Sequence, residues 1–169
     1  SRSVNKLSER IEVLKKVTLF EDLIENINAL EAISSKMTEK TFKTGDAIIE
    51  EGKTGSELFI LISGEVAVFK STLEGDPYKV VILKSTHYPC FGEGGLLDSD
   101  TRSATIRAQS ESHCLVLSRE TFDRFAQASP EWALPVLRRI SQAVLGRLKK
   151  TNHDLMLLHQ ALISEIRGA

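Results

Sequence analysis

The sequence predicts an α+β chain, mainly β: a jelly-roll-like β-roll flanked by N-terminal helices and a long C-terminal helix. Three observations predict it. Apolar residues recur at helical spacing near both ends, short runs rich in Val, Ile and Phe fill the middle, and glycines punctuate those runs. The 169 residues suffice for one domain with a real core and an extra helix or two.

Residues 1–37 read as an N-terminal helical segment. Leu7, Ile11 and Leu14 fall at helical spacing, and so do Leu23, Ile27 and Leu30. Thr18 with Glu21 matches a capping box, in which each side chain satisfies a free backbone N–H of the first turn. That predicts a helix restarting after a break near Val17.

Residues 38–118 read as the β-roll. Leu58 to Ile62 (LFILI) is one run, Ser63-Gly64 turns, and Val66 to Phe69 (VAVF) follows. Val80 to Leu83 (VVIL) comes after the turn-rich Glu74-Gly75-Asp76-Pro77, and Ala104 to Ala108 and Cys114 to Leu117 complete the set. Gly45, Gly52, Gly55 and Gly64 stand where tight turns need a positive φ or no side chain. Many short strands with frequent turns imply a sandwich, jelly roll or small barrel.

Residues 119–169 return to helix. Arg119 to Ala128 reads as a short helix, and Ser129-Pro130 starts another that runs to about Ile166. Pro135 removes a hydrogen bond, which predicts a kink or a later start. Leu134, Leu148, Leu155 and Leu162 lie on a seven-residue lattice with Ser141 in the gap, and Leu137, Val144 and Leu158 hold companion positions with Thr151 between them. This is an a/d-type seam. Up to Leu148 the same stripe serves equally to pack the helix on its own barrel; past Leu148 little of the domain remains to be covered, which favours a homodimer through this helix.

Bulk properties narrow the function. The net charge of −1 gives no general attraction to nucleic acid or an anionic membrane. Apolar runs are too short to span a bilayer, and the chain opens on Ser1 with no signal-peptide pattern. Cys90 and Cys114 form no metal-ligand spacing and read as ordinary thiols of a reducing compartment, the cytoplasm. No metal constellation, nucleophile–base pair or paired carboxylates stand at a meaningful spacing, so no enzyme is predicted.

The informative stretch is Phe91 to Ala108, FGEGGLLDSDTRSATIRA. Gly92, Gly94 and Gly95 let the backbone approach a ligand and aim N–H groups at it. Leu96-Leu97 could begin a helical turn whose N-terminus attracts an anion. Arg102 offers paired N–H donors to phosphate oxygens, and Ser103 adds a hydroxyl. Glu93 would repel a phosphate but suits sugar hydroxyls. No Gly-Lys-Ser/Thr is present, so this is no P-loop. On these residues alone, a nucleotide site and a plain turn with a surface arginine both stand.

Phe91-Gly92-Glu93, with Arg102-Ser103-Ala104-Thr105 beginning nine residues after Glu93, resembles the phosphate-binding cassette of cyclic-nucleotide-binding domains. That family includes catabolite activator proteins, cAMP-dependent kinase regulatory subunits and nucleotide-gated channels. Gly45-Asp46, Ile48-Ile49, Glu51-Gly52, Gly55 and Leu58 through Val66 are similar to its first strands and turns, so the resemblance runs from about Leu19 to Asn152.

The resemblance implies a cAMP-binding regulatory domain that transmits binding through its C-terminal helix. Arg102 would pair with the cyclic phosphate and Glu93 would accept the ribose 2′-OH. The backbone of Gly92, Glu93 and Gly94, with Ser103 and Ala104, would complete the phosphate site. Thr151 and Asn152 stand where catabolite activators carry a Thr-Ser pair that contacts adenine from two subunits. Gly94 replaces a larger apolar residue and should loosen the cassette's short helix. Thr101 stands where many members have proline. Ser103 keeps cGMP as an alternative, because a hydroxyl after the arginine also occurs in members that accept it. A nucleotide-free dimerisation scaffold is the other alternative, but it predicts a broken cassette. The chain ends a few turns past Asn152, so no DNA-reading module is expected within it, and the effector is unspecified. Arg138, Arg139, Arg147, Lys149 and Lys150 read as a solvated helix face.

Overall fold

The computed structural model describes residues 6–168. Helix α1 (Leu7–Leu14) leads to a 3-10 turn (Thr18–Leu23) and then to α2 (Ile27–Ser34). The expected capping box does not form. Val17, not Thr18, occupies the N-cap position and no side chain caps the turn. The tighter 3-10 geometry buries Leu19, Phe20 and Leu23 within six residues. Leu23, Ile27 and Leu30 therefore straddle two elements instead of one helix. The capping side chain belongs to Asn26, whose Oδ1 accepts from the Ala29 N–H at 3.0 Å.

The roll contains β1 (Thr38–Phe42), β2 (Ala47–Ile49), β3 (Thr54–Gly55), β4 (Glu57–Ser63), β5 (Glu65–Ser71), β6 (Pro77–Lys84), β7 (Cys90–Phe91), β8 (Asp100–Thr101), β9 (Thr105–Ala108) and β10 (Ser112–Ser118). One antiparallel sheet has the order β1-β10-β4-β7 and the other β2-β9-β5-β6, while β3 and β8 form a separate short pair. Jelly-roll-like topology places sequence-distant strands side by side, as β1 with β10 and β2 with β9.

The LFILI run is continuous because both of its faces are buried. Successive residues of a strand point to opposite sides. Leu58, Ile60 and Ile62, with Leu115 and Leu117, pack against Leu14, Leu30, Ile33, Phe122 and Ile140 of the helical layer. Phe59 and Leu61, with Cys114 and Val116, turn into the roll against Ile49, Val66, Phe91 and Ile106. The rings of Phe59 and Phe91 stack at 5.4 Å.

Helix α3 (Arg119–Ala128) is capped by Ser118, whose Oγ accepts from the Thr121 N–H at 3.1 Å. Helix α4 (Pro130–Gly168) follows, 39 residues long. It starts at Pro130 despite Pro135, because the Ser129 carbonyl accepts from the N–H groups of Trp132 and Ala133. The acceptor that Pro135 deprives is the Glu131 carbonyl, near the exposed start of the helix, where water can replace the donor. Only Ala133, Val136 and Ile140 of α4 are buried. Leu148, Leu155, Leu158 and Leu162 are exposed. Among the described residues no helix is long and apolar enough to cross a membrane.

Candidate functional site

The loop from β7 to β9 wraps around one side chain. Gly92 has φ of +78°, a conformation in which a side chain is strained. It precedes a 3-10 turn, Glu93–Leu96. The sequence suggested a helical turn beginning at Leu96-Leu97; it lies three residues earlier and is tighter, because Gly94 and Gly95 weaken an α-helix. Arg102 follows β8, with its backbone fixed on both sides: its N–H donates to the Lys53 carbonyl and its carbonyl accepts from the Gly52 N–H, each at 2.8 Å.

The Arg102 guanidinium occupies a slot walled by glycines. Nη1 donates to the Gly92 carbonyl at 3.0 Å and Nη2 to the Glu57 carbonyl at 2.8 Å. A Cβ at Gly95 would stand 3.0 Å from Nη1, and one at Gly55 would collide with Nε. The glycines expected to admit a ligand therefore also make room for the arginine. Gly55 was not singled out for this role. The clue would have been the pairing of β3 with β8, a non-local contact that local patterning cannot give.

Between this loop, β5 and α4 lies a cleft of about 550 Å³. Gly92, Gly94, Arg102, Ser103 and Ala104 form one wall. Ile49, Val68, Lys70 and Ile106 form the floor, and Val144, Arg147, Leu148 and Thr151 of α4 form the roof. A cation and a hydroxyl at one end with apolar surface beside them suit a ligand that is anionic at one end and flat and apolar at the other. Asn152 does not line this cleft. One residue beyond Thr151, it points about 100° further round the helix.

Glu93 is nearly buried, its side chain only 12% exposed. Oε1 pairs with Nη2 of Arg147 at 3.3 Å, while Oε2 is buried without a hydrogen-bond partner. A buried acceptor left unpaired is costly, so this oxygen is suited to receive a donor. Glu93 lines a second cavity of about 420 Å³ beneath α4, with Cys90 and Arg139, and is not among the lining residues of the larger cleft.

The reading of the α4 cations as a solvated face holds for Arg138, Lys149 and Lys150, which are exposed, and needs correction for Arg139 and Arg147. Arg147 reaches Glu93, and Arg139 grips both carboxylate oxygens of Asp22 at 2.9 and 3.1 Å. Their partners come from other parts of the chain and leave no trace in the helical pattern. The hydrogen bond from Arg139, opposed by desolvation, holds the Asp22 carboxyl below its ordinary range. Desolvation pushes the Cys90 thiol far up, with the Glu93 charge adding to it, and pushes Cys114 up to about 12. Both thiols are therefore protonated and poorly nucleophilic. Among the described residues no group of three His, Cys, Asp or Glu side chains could hold a metal ion.

Comparison with known proteins agrees with this geometry. The family model described as "Cyclic nucleotide-binding domain" matches residues 39–129. Human cGMP-dependent protein kinase 2 is 39% identical over 113 residues, 66% of this chain and 14% of the kinase. The cAMP-dependent protein kinase regulatory subunit of Dictyostelium discoideum is 26% identical over 122 residues, 67% of this chain and 37% of that protein. The chain thus spans well under half the length of either relative. Among solved structures, the Thermus thermophilus catabolite activator protein superposes with a TM-score of 0.72 at 26% identity, covering 83% of this chain and 62% of that one.

Proposed function

Because this chain belongs to the cyclic nucleotide-binding domain family, we propose that it is a cAMP sensor whose ligand lies in the cleft beneath α4. The observation that carries this reading is the cassette itself: a cation in a glycine slot on the cleft wall, and a buried carboxylate oxygen without a donor in the same loop.

In this reading the cyclic phosphate meets Arg102, the Ser103 hydroxyl and the backbone of Gly92, Gly94 and Ala104. The ribose 2′-OH donates to Glu93, which stands between the cleft-lining Gly92 and Gly94 and turns its free oxygen from the smaller cavity to the ligand. Thr151, which can donate and accept, faces the mixed donor–acceptor edge of adenine. Asn152 acts from the second copy of a homodimer joined through the exposed leucines of α4. Arg147 links the ligand loop to the helix, since it joins Glu93 to α4. Binding shifts the helix only by the difference in affinity between its positions. The effector that reads the shift is outside these residues.

A second reading, cGMP, has its own support. The residue after Arg102 is a serine, and cGMP-dependent kinases are among the relatives. Calorimetric titration of the nucleotide-stripped chain with cAMP and with cGMP tests both. Micromolar or tighter binding, worth about 8 kcal/mol or more, that is lost in Arg102→Ala is expected. Absence of heat with both nucleotides refutes the sensor reading and leaves the nucleotide-free scaffold.

A further inference from the structure

We propose that Lys70 reads the purine base in the cleft and favours a 6-oxopurine over a 6-aminopurine; this rests on the cyclic-nucleotide reading above. Val68 and Lys70 both line the cleft from β5, as residues two apart on one strand face must. The pairing of β5 with β9 ends at Phe69 opposite Thr105, while its pairing with β6 continues to Lys70 opposite Tyr78. Lys70 therefore stands on the part of the β5–β6 hairpin that overhangs the cleft. Thr151 lines the same cleft from α4.

Among the described residues no ion pair or hydrogen bond engages the Lys70 ammonium. The nearby carboxylate of Glu51 is engaged by the Ser71 N–H at 3.0 Å. An ammonium offers three donors and no acceptor. Guanine presents two neighbouring acceptors, O6 and N7. Adenine presents N7 beside the N6 amino donors, which an ammonium meets with N–H against N–H. With Arg102 serving the phosphate, Lys70 supplies a contact that depends on the base and not on the ribose phosphate. The residue therefore biases the pocket toward guanine whichever nucleotide binds more tightly overall.

The test measures dissociation constants of wild type, Lys70→Met and Lys70→Gln for cAMP, cGMP and inosine 3′,5′-cyclic monophosphate. The inosine analogue keeps O6 and N7 but lacks the 2-amino group. In Lys70→Met the cGMP-to-cAMP affinity ratio falls by about tenfold, the scale of one good base-edge contact, and the inosine analogue falls with cGMP. Lys70→Gln moves the ratio further toward cAMP, because a carboxamide matches the adenine edge. Equal weakening of all three nucleotides would mean that Lys70 only attracts the phosphate, and overturns the proposal. So would a loss confined to cGMP, which would place the contact at the 2-amino group. Wild type binding none of the three would refute the sensor reading itself, an outcome distinct from an unchanged ratio.

Discussion

Gly55→Ala should disable the cleft without altering any residue that lines it. Gly55 lies in β3 and has no positive φ, so its backbone accepts alanine without strain. Its new Cβ, however, would collide with Nε of Arg102 and lie 2.5 Å from Cζ, where ordinary contacts begin at 3.4 Å. The backbone of Arg102 is pinned at both its N–H and its carbonyl, so the guanidinium must retreat, and further than Cζ alone requires, because Nε lies closer still. A retreat of that size takes both Nη atoms out of position for the 2.8 and 3.0 Å bonds to Glu57 and Gly92. Each such bond to a charged group contributes about 1.5–3 kcal/mol. Arg102 is only half-buried, so water recovers part of this and a net loss of about 2 kcal/mol is expected. At about 2–4 °C per kcal/mol for a domain of this size, Tm falls by about 4–8 °C. A displaced guanidinium also loses its paired geometry on phosphate, so affinity for the cyclic nucleotide falls at least about tenfold. Scanning calorimetry and titration calorimetry read the two effects. Gly75→Ala is the control: φ there is +92° and nothing lies within 4 Å, so it should lower Tm through backbone strain and leave affinity unchanged. Wild-type affinity in Gly55→Ala would refute the slot as the device that aims Arg102.

Two further predictions follow from α4. The folded pKa of Asp22 is depressed, so the pairing with Arg139 contributes above the unfolded value near 4 and is lost as pH falls through the folded one. Urea denaturation should therefore show Asp22→Asn less stable than wild type at pH 7, with the gap closing on acidification; a gap independent of pH would show that the ion pair is not its source. Leu155→Glu places a charge on the exposed seam, and sedimentation should show it shifting a homodimer toward monomer with the Tm of the monomer unchanged. A wild-type chain that sediments as a monomer at all concentrations would remove the seam reading.

What the sequence revealed and what it hid divide along physical lines. The β4 run and the Arg119–Ala128 helix were legible because burial on two faces, or on one helical face, writes a local pattern. β1 (TEKTF) was not picked out, because most of its residues are exposed or half-buried and its place comes from pairing with β10, far along the chain. The same distinction holds at the site. Arg102, Ser103 and Glu93 stand in one contiguous motif, and that motif is the loop that carries the arginine slot. Arg147, Lys70 and Gly55 come from α4, β5 and β3, and only the fold brings them to that loop. The capping box at Thr18 failed for a related reason: a local signal yielded to three apolar side chains seeking the core.

Strands β4 and β10 serve as a partition between two apolar compartments, one among the helices and one inside the roll. A partition loaded on both faces cannot move toward one compartment without opening a void in the other, and voids in close-packed interiors are costly. The wall therefore acts as a stiff diaphragm. Its amides should exchange with solvent only on global unfolding, while α4 past Val144, which rests on no such wall, opens locally. In the proposed reading, a ligand entering the cleft meets a roll backed by this fixed wall and roofed by a movable helix, so its displacement goes into the helix.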